Sequence, residues 1–204
     1  PSSKSSAGPG YVFVETDMTQ LYTRPLVWTP SQSATDVQHA SRSALWLSPD
    51  HIVVYDRATT LHSGLFKRFN LNFAVPPAID AVNSTAVATM PSGQKLNVKS
   101  LRPTGATLTY VPEGGTLTNI GQLETMTGRL VVEDPSKPAN VRFLHVLQGT
   151  DVGVTADTAT LVQSFSGTPY EGALFANHVV MFPVNFGNSD RKSTRLNSSH
   201  GYIS

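Results

Sequence analysis

The sequence predicts an all-β protein, an antiparallel β-sandwich of about a dozen strands. From residue 11 onward, short segments either alternate apolar and polar residues or run through β-branched residues. Sequences rich in Pro and Gly separate these segments, as turns between strands do. No apolar stripe recurs at helical spacing over eleven or more positions, so long amphipathic helices are not expected.

The predicted strands share this alternation. They are Tyr11–Glu15, Thr19–Val27, Arg42–Leu47, Ile52–Arg57, Phe66–Phe73, Thr85–Met90, Lys95–Leu101, Ala106–Val111, Gly128–Glu133, Val141–Leu147, Thr160–Phe165 and Val179–Pro183. Between two of them stands the turn Ser48-Pro49-Asp50, in which proline presets the backbone angle. Pairing about this turn places Asp56 beside Arg42, which predicts a cross-strand ion pair.

Composition excludes several classes of protein. The 204 residues contain no cysteine, which excludes disulfide scaffolds and thiolate zinc sites. The formal charge of +1 gives no reason to expect a nucleic-acid partner. No apolar run is long enough to span a bilayer, so no membrane partner is expected. Phosphate-binding loops and the serine-hydrolase motif are absent, and no catalytic residue is identified.

The chain divides into three segments. Residues 1–10 are rich in Ser, Pro and Gly and are expected to be a flexible linker or the end of a missing upstream domain. Residues 11–189 form the predicted β-sandwich domain. The string D-R-K-S-T-R-L-N-S-S-H at 190–200 matches one reading frame of a common sequencing adapter. We therefore interpret 190–204 as an adapter artefact, expected to be disordered; the alternative is a natural basic tail that binds nucleic acid or an acidic surface.

Two predicted strands carry polar residues of interest. One face of Phe66–Phe73 carries Arg68, Asn70 and Asn72, which either line a binding groove or form the solvent side of a sheet. Both faces of Val141–Leu147 are mostly apolar, which predicts a central strand. His145 in that strand is therefore expected to be a neutral, hydrogen-bonded core residue rather than a catalyst.

Aromatic residues are candidates for stacking on a sugar ring. Trp28 and Tyr110 are candidate substrate-binding residues on this ground, and Trp46 is a third aromatic of this kind. Aromatic residues in strands are mainly core residues, which is the competing interpretation. Trp46 is expected to be buried because its neighbours in the strand are apolar.

Five segments, in order along the chain, resemble one enzyme family. They are Y-V-F-V-E-T-D-M-T-Q-L-Y (11–22), R-S-A-L-W-L-S-P-D-H-I-V-V-Y-D-R (42–57), F-K-R-F-N-L-N-F (66–73), G-Q-K-L-N-V-K-S-L-R-P (93–103) and R-F-L-H-V-L (142–147). Together they resemble the C-terminal β domain of heparinase II/III-like polysaccharide lyases over about residues 11–183. The resemblance implies β-sandwich modules that follow an N-terminal helical toroid, which is missing from this chain.

The resemblance also implies a reaction and a site. The reaction is β-elimination of an acidic polysaccharide by a secreted or periplasmic enzyme, with the main Tyr and His catalysts on the toroid. Some members hold zinc in the β domain through two His and one Asp. Asp56 matches that Asp and His39 is a tolerable second ligand, and the two could share a metal only with a bulge and a third ligand. Asn72 stands where the family often has His, so the sequence does not identify a third ligand.

Three functions follow as expectations. The first is a non-catalytic β-sandwich that supports the missing toroid, since the chain has no self-contained catalytic set. The second is an independent carbohydrate-binding module that presents Trp28, Trp46 or Tyr110 to an acidic polysaccharide. The third, a complete enzyme, needs a general base that the sequence does not reveal.

Overall fold

The computed structural model describes residues 3–23, 36–112 and 126–186, and strands are the main regular structure in these ranges. In chain order the elements are β1 (Ser3–Gly8), β2 (Tyr11–Asp17), α1 (Thr19–Thr23), β3 (Val37–Leu47), β4 (His51–Thr60), β5 (Arg68–Phe73), β6 (Ala78–Asp80), β7 (Thr85–Thr89), β8 (Lys95–Arg102), β9 (Thr107–Pro112), β10 (Gly128–Glu133), β11 (Asn140–Thr150), β12 (Ala159–Gln163), β13 (Tyr170–Phe175) and β14 (His178–Pro183). The all-β fold class is confirmed. Within the described ranges, no helix has the length and apolar character that crossing a bilayer requires.

The strands form three antiparallel sheets. The largest has eight strands in the order β1-β2-β3-β4-β11-β8-β7-β6. Two smaller sheets have three strands each, in the orders β5-β10-β9 and β12-β13-β14. The eight-stranded sheet has two faces, and one of the small sheets packs against each face.

Two hydrophobic clusters fill the spaces between the sheets. The first lies between the large sheet and β12-β13-β14, and includes Leu45, Val53, Leu144, Phe175 and Phe182. The second lies between the opposite face and β5-β10-β9, and includes Phe69, Val98, Leu130, Val132 and Phe143. A sandwich with a third layer results, because alternate residues of the central strands point to opposite faces.

Strand β11 lies in the middle of the large sheet, as the sequence predicts. It pairs with β4 on one side and β8 on the other. Its residues contribute to both clusters, with Leu144 in the first and Phe143 in the second. A strand buried on both faces has few positions for polar residues, which explains the nearly continuous apolar run in its sequence.

The β3–β4 hairpin confirms the predicted ion pair. Arg42 lies directly opposite Asp56 in the register. Its Nε and Nη2 donate hydrogen bonds of 2.8 and 2.7 Å to the two carboxylate oxygens. Burial raises the pKa of Asp56, and the bonds from Arg42 oppose that rise.

The predicted strand Thr19–Val27 is wrong where the structure describes it. Thr19–Thr23 form the short helix α1, and residues 24–27 lie outside the described residues. The carboxylate of Asp17 accepts a 2.9 Å hydrogen bond from the backbone N–H of Thr19, as a helix cap does. Leu21 and Tyr22 are exposed, so packing against a neighbouring strand does not stabilise an extended conformation in this segment.

The structure also differs from the linker prediction for residues 1–10. Residues 3–8 form β1, the edge strand, which pairs with β2 along its whole length. Apart from Lys4, its side chains are small, and most are exposed, so backbone hydrogen bonds hold the strand rather than packing. An ion pair of 3.5 Å joins Lys4 to Glu15 across these strands. Low-complexity composition therefore does not prevent pairing at a sheet edge.

Candidate functional site

The polar face predicted on β5 is exposed. Arg68, Asn70 and Asn72 alternate with buried or half-buried residues and point to solvent. In the neighbouring strand β10, Glu133 lies opposite Arg68 and Arg129 lies opposite Asn72. Arg68 donates a 2.7 Å hydrogen bond to Glu133. The outer face of the β5-β10-β9 sheet is therefore a polar surface able to offer hydrogen bonds to a ligand.

Tyr110 does not share that surface. It lies opposite Leu130, a fully buried residue, so its ring belongs to the inner side of the sheet. Its hydroxyl is 2.8 Å from the hydroxyl of Thr127. The sequence made Tyr110 a candidate for stacking on a sugar because it does not show which face of β9 points inward. Trp28, the other aromatic candidate, lies outside the described residues.

His39 and Asp56 are not brought together. In the β3–β4 register, His39 pairs with Thr59 and Arg42 pairs with Asp56. Because directly opposed residues share a face and successive residues alternate, His39 and Asp56 project from opposite faces of the sheet. Among the described residues, no group of three or more His, Cys, Asp or Glu side chains could hold a metal ion.

His39 instead contacts a serine. Its Nε2 lies 2.9 Å from Ser41 Oγ, and its ring lies 5.0 Å from that of Phe186. Burial lowers the pKa of His39, although the nearby carboxylate of Asp17 opposes this. A Ser–His pair at this distance can activate a nucleophile. Ser41 is buried in the large sheet, however, which leaves a substrate no access to its hydroxyl.

Sequence reasoning missed a buried carboxylate that joins the β12-β13-β14 sheet to the large sheet. Glu171 on β13 is fully buried. It accepts hydrogen bonds from the hydroxyl of Tyr55 at 2.7 Å and from Arg102 at 3.1 Å. Arg142 Nε lies 2.7 Å from it in an ion pair. A buried charge is tolerated when it is paired and hydrogen-bonded in this way.

The Glu171 cluster continues through Arg57. The Arg57 guanidinium lies 4.4 Å from the centroid of the Tyr55 ring and donates to Ser43 Oγ at 3.2 Å. Ser43 in turn donates to Glu15 at 3.0 Å. Burial, together with the charge of Glu171, raises the pKa of Tyr55, so its phenol keeps its proton and cannot act as a general base. The network joins β2, β3, β4 and β13 rather than providing a reactive group.

A second polar cluster surrounds His51 at the start of β4. Its Nδ1 lies 2.8 Å from Asp50 and its Nε2 lies 3.2 Å from Asp157. Gln148 donates to both carboxylates, at 3.1 and 3.2 Å. The ring also stacks on Phe175, with centroids 4.8 Å apart. Because carboxylates face both ring nitrogens, neither nitrogen is open to a substrate, and the cluster fastens the loop before β12 to the β3–β4 turn.

His145 is a core residue, but its environment differs from the prediction. The ring is fully buried and lies 3.9 Å, centroid to centroid, from Phe69. Burial lowers its pKa to about 3, with a further contribution from the charge of Arg42, so the ring is neutral as predicted. Among the described residues neither ring nitrogen has a hydrogen-bond partner. The expected hydrogen bond is wrong because Val54, opposite on β4, offers no polar group and Ser100, opposite on β8, donates its hydroxyl to the backbone carbonyl of Arg102.

We expect His145 to make the protein sensitive to acid. Its pKa is about 3 in the folded state and about 6.5 in an unfolded chain. Stability from this group is therefore complete above pH 6.5 and declines as pH falls from 6.5 towards 3. Between pH 7.5 and 4.5, wild type should lose about 2–3 kcal/mol more free energy of unfolding than His145→Leu. Urea unfolding at four pH values in this interval measures the difference.

The surroundings of His145 make this comparison specific. The charged groups on its face of the sheet are Arg42 and Asp56, which remain in the variant. His62→Gln is the matched control, because His62 is an exposed histidine that already faces Asp36. His62→Gln should follow wild type. If the free energy of unfolding fell equally with pH in wild type and in His145→Leu, the buried ring would not contribute to the acid sensitivity.

Comparison with known proteins identifies the fold. No protein-family model matches the sequence, and no curated protein sequence is significantly similar to it. The structure is similar to heparan sulfate lyase HepC from Pedobacter heparinus, with a TM-score of 0.61 and 18% identity over 91% of this chain and 28% of that chain. Two structures of heparinase III give TM-scores of 0.60 and 0.58 with 12% identity, over 85% and 89% of this chain and 26% and 27% of theirs.

The chain shares its fold with part of the heparinase III lyases. The resemblance noted in the sequence is confirmed at the level of the fold, over 91% of this chain. The chain spans less than a third of the length of each of these solved structures. At such low identity the likeness concerns architecture, and residue roles in the lyases do not transfer from it.

Proposed function

We propose that this chain is the non-catalytic C-terminal β-sandwich of a heparinase II/III-like polysaccharide lyase. The parent protein cleaves an acidic polysaccharide by β-elimination in a secreted or periplasmic location, and this part supports a helical toroid that the chain lacks. The observation that carries the proposal is the fold shared over 91% of this chain but only 28% of heparan sulfate lyase HepC.

The chemistry of the polar clusters agrees with a supporting role. β-Elimination needs a base that removes a proton beside a carboxylate and an acid that protonates the leaving oxygen. The hydroxyl of Tyr55 keeps its proton and donates a hydrogen bond to a buried carboxylate, and His51 has carboxylates at both nitrogens. Ser41 and His39 are paired inside the sheet. These groups stabilise the layers, so catalysis is assigned to the toroid.

An assay of the chain alone tests this assignment. Unsaturated uronate products absorb in the ultraviolet, so we expect no rise in absorbance when heparin, heparan sulfate or alginate is added. A protein that contains the upstream toroid should produce the rise with at least one of them. Turnover by the present chain would contradict the non-catalytic role, and upstream DNA that encodes no helical domain would contradict the parentage.

The second candidate is an independent carbohydrate-binding module. The observation that favours it is the exposed row Arg68, Asn70 and Asn72 on one face of β5. Calorimetric titration with acidic glycans distinguishes the two functions, because a module binds without the toroid. If it binds, Arg68→Ala combined with Asn70→Ala should weaken binding about tenfold or more, since charged hydrogen bonds contribute about 1.5–3 kcal/mol. Tyr110→Phe is the control, because Tyr110 lies on the inner face.

A further inference from the structure

One end of the large sheet carries an apolar surface that neither of the two small sheets formed by the described residues covers. We call it the Trp46 strip, and it consists of Val12, Val14, Ala44, Trp46 and Ile52. Val12 lies directly opposite Trp46, Trp46 opposite Ile52, and Val14 opposite Ala44, so the five side chains share one face. Trp46, expected to be buried, is 39% exposed, as is Ile52, and Val12 is 41% exposed.

The strip belongs to a row of apolar residues that lie opposite one another across the strands of the large sheet. The other half of this row is buried. Ile52 lies opposite Leu147, Leu147 opposite Val98, and Val98 opposite Ala86. Those three residues are buried in the second hydrophobic cluster, under the β5-β10-β9 sheet. At this end of the face, the small sheet thus covers β11, β8 and β7 and leaves the Trp46 strip exposed on β2, β3 and the start of β4, whereas farther along β4 it buries Val54. Single exposed apolar residues are common, whereas a contiguous apolar row marks an interaction surface.

The chemistry of the strip favours a protein surface over a sugar. A glycan brings hydroxyl groups, which lose free energy on burial unless they find hydrogen-bond partners. The side chains directly opposite Trp46 on both sides are Val12 and Ile52, which offer none. An apolar protein surface brings no hydroxyl groups that would lose hydrogen bonds, and burial of apolar area stabilises the contact.

We infer that the Trp46 strip is the surface on which the helical domain of the parent protein packs. The inference rests on the proposed function. More than two thirds of heparan sulfate lyase HepC lies outside the part that this fold matches, so such a fold occurs there next to a much larger body of protein. The strip is an uncovered extension of an interface that already buries apolar side chains against another layer. A second copy of the chain and a glycan are the alternatives that the experiment must exclude.

Cysteine accessibility tests the inference, because the chain has no cysteine of its own. Ile52→Cys is made in the present chain and in the longer protein obtained by extending the coding sequence upstream. Reaction with a thiol reagent is followed by mass spectrometry of the peptide that contains residue 52. We expect the thiol to react about tenfold or more slowly in the longer protein, since burial restricts access to a thiol. Val14→Cys, on β2, should give the same result and serves if the first variant folds poorly.

Phe165→Cys is the matched control. Phe165 is a fully exposed apolar residue between β12 and β13, beyond the opposite face of the large sheet, and its thiol should react equally fast in both proteins. Equal rates at residue 52 in the two proteins would overturn the docking surface and leave the parentage intact. Protection that grows with concentration of the present chain would assign the strip to a second copy, and protection by added heparan sulfate would assign it to a glycan; both overturn the inference. Upstream DNA without a helical domain would overturn the proposed function itself.

Discussion

Gly172→Ala should destabilise the protein by about 3 kcal/mol or more, among the largest effects of any single methyl group in this chain. Gly172 lies in β13, opposite Met181 of β14. A Cβ atom at residue 172 would overlap the carbonyl oxygen of Val180, which is backbone and cannot rotate away. The strands would have to separate, which would disturb the cluster between β12-β13-β14 and the large sheet. Urea unfolding measures the loss as a lower midpoint at unchanged slope.

Gly149→Ala is the control for this prediction. Gly149 also lies in a strand, β11, but nothing approaches within 4 Å of the position that its Cβ would take. The substitution should change the free energy of unfolding by about 0.5 kcal/mol or less. Equal midpoints for Gly172→Ala and Gly149→Ala would contradict the close approach of β13 and β14.

Glu171→Ala should cost about 3–5 kcal/mol, because it removes a fully buried carboxylate and leaves the groups that are paired with it without their partner. The variant removes the acceptor for Tyr55 and Arg102 and the ion-pair partner of Arg142. Those donors come from β4, β8 and β11, so the loss should loosen the β12-β13-β14 layer against the large sheet. Thermal and urea unfolding measure the loss, and hydrogen exchange should show faster exchange of amides in β13.

The exposed pair of Arg68 and Glu133 provides the comparison for Glu171. Its hydrogen bond is 2.7 Å long, as short as the contact from Arg142 to Glu171, but its carboxylate is partly exposed to solvent, whereas that of Glu171 is fully buried. Glu133→Ala should therefore cost about 1 kcal/mol or less. A loss at residue 171 no larger than that at residue 133 would mean that the buried network contributes little to stability.

Much of the fold follows from short-range patterns. Alternation located most of the strands, and the turn at Pro49 was enough to predict that Arg42 faces Asp56. β13 was missed because Gly172 and buried Glu171 interrupt its apolar pattern. The helix α1 was predicted as a strand because its residue types favour a strand. The hydrogen bond from the backbone of Thr19 to Asp17 that caps the helix depends on backbone geometry, which residue types do not show.

The candidate binding residues show a different limit. Arg68, Asn70 and Asn72 could be grouped because residues two apart in one strand share a face. Tyr110 could not be assigned to that group, since the face that it occupies depends on how β9 pairs with β10. His39 and Asp56 were grouped because the family resemblance implied a shared metal and both lie on consecutive predicted strands, but the register of β3 and β4 separates them across the sheet.

By itself, the sequence determined the all-β class, the central position of β11 and the pairing in the β3–β4 hairpin, since these depend on alternation and on a turn between neighbours in the chain. Only the tertiary structure decided that Tyr55 meets Glu171, which is 116 positions away, and that Trp46 stays exposed while Leu147 in the same row is buried. The physical reason is that alternation specifies which residues share a face of a strand. Which part of that face another sheet covers depends on packing between distant segments.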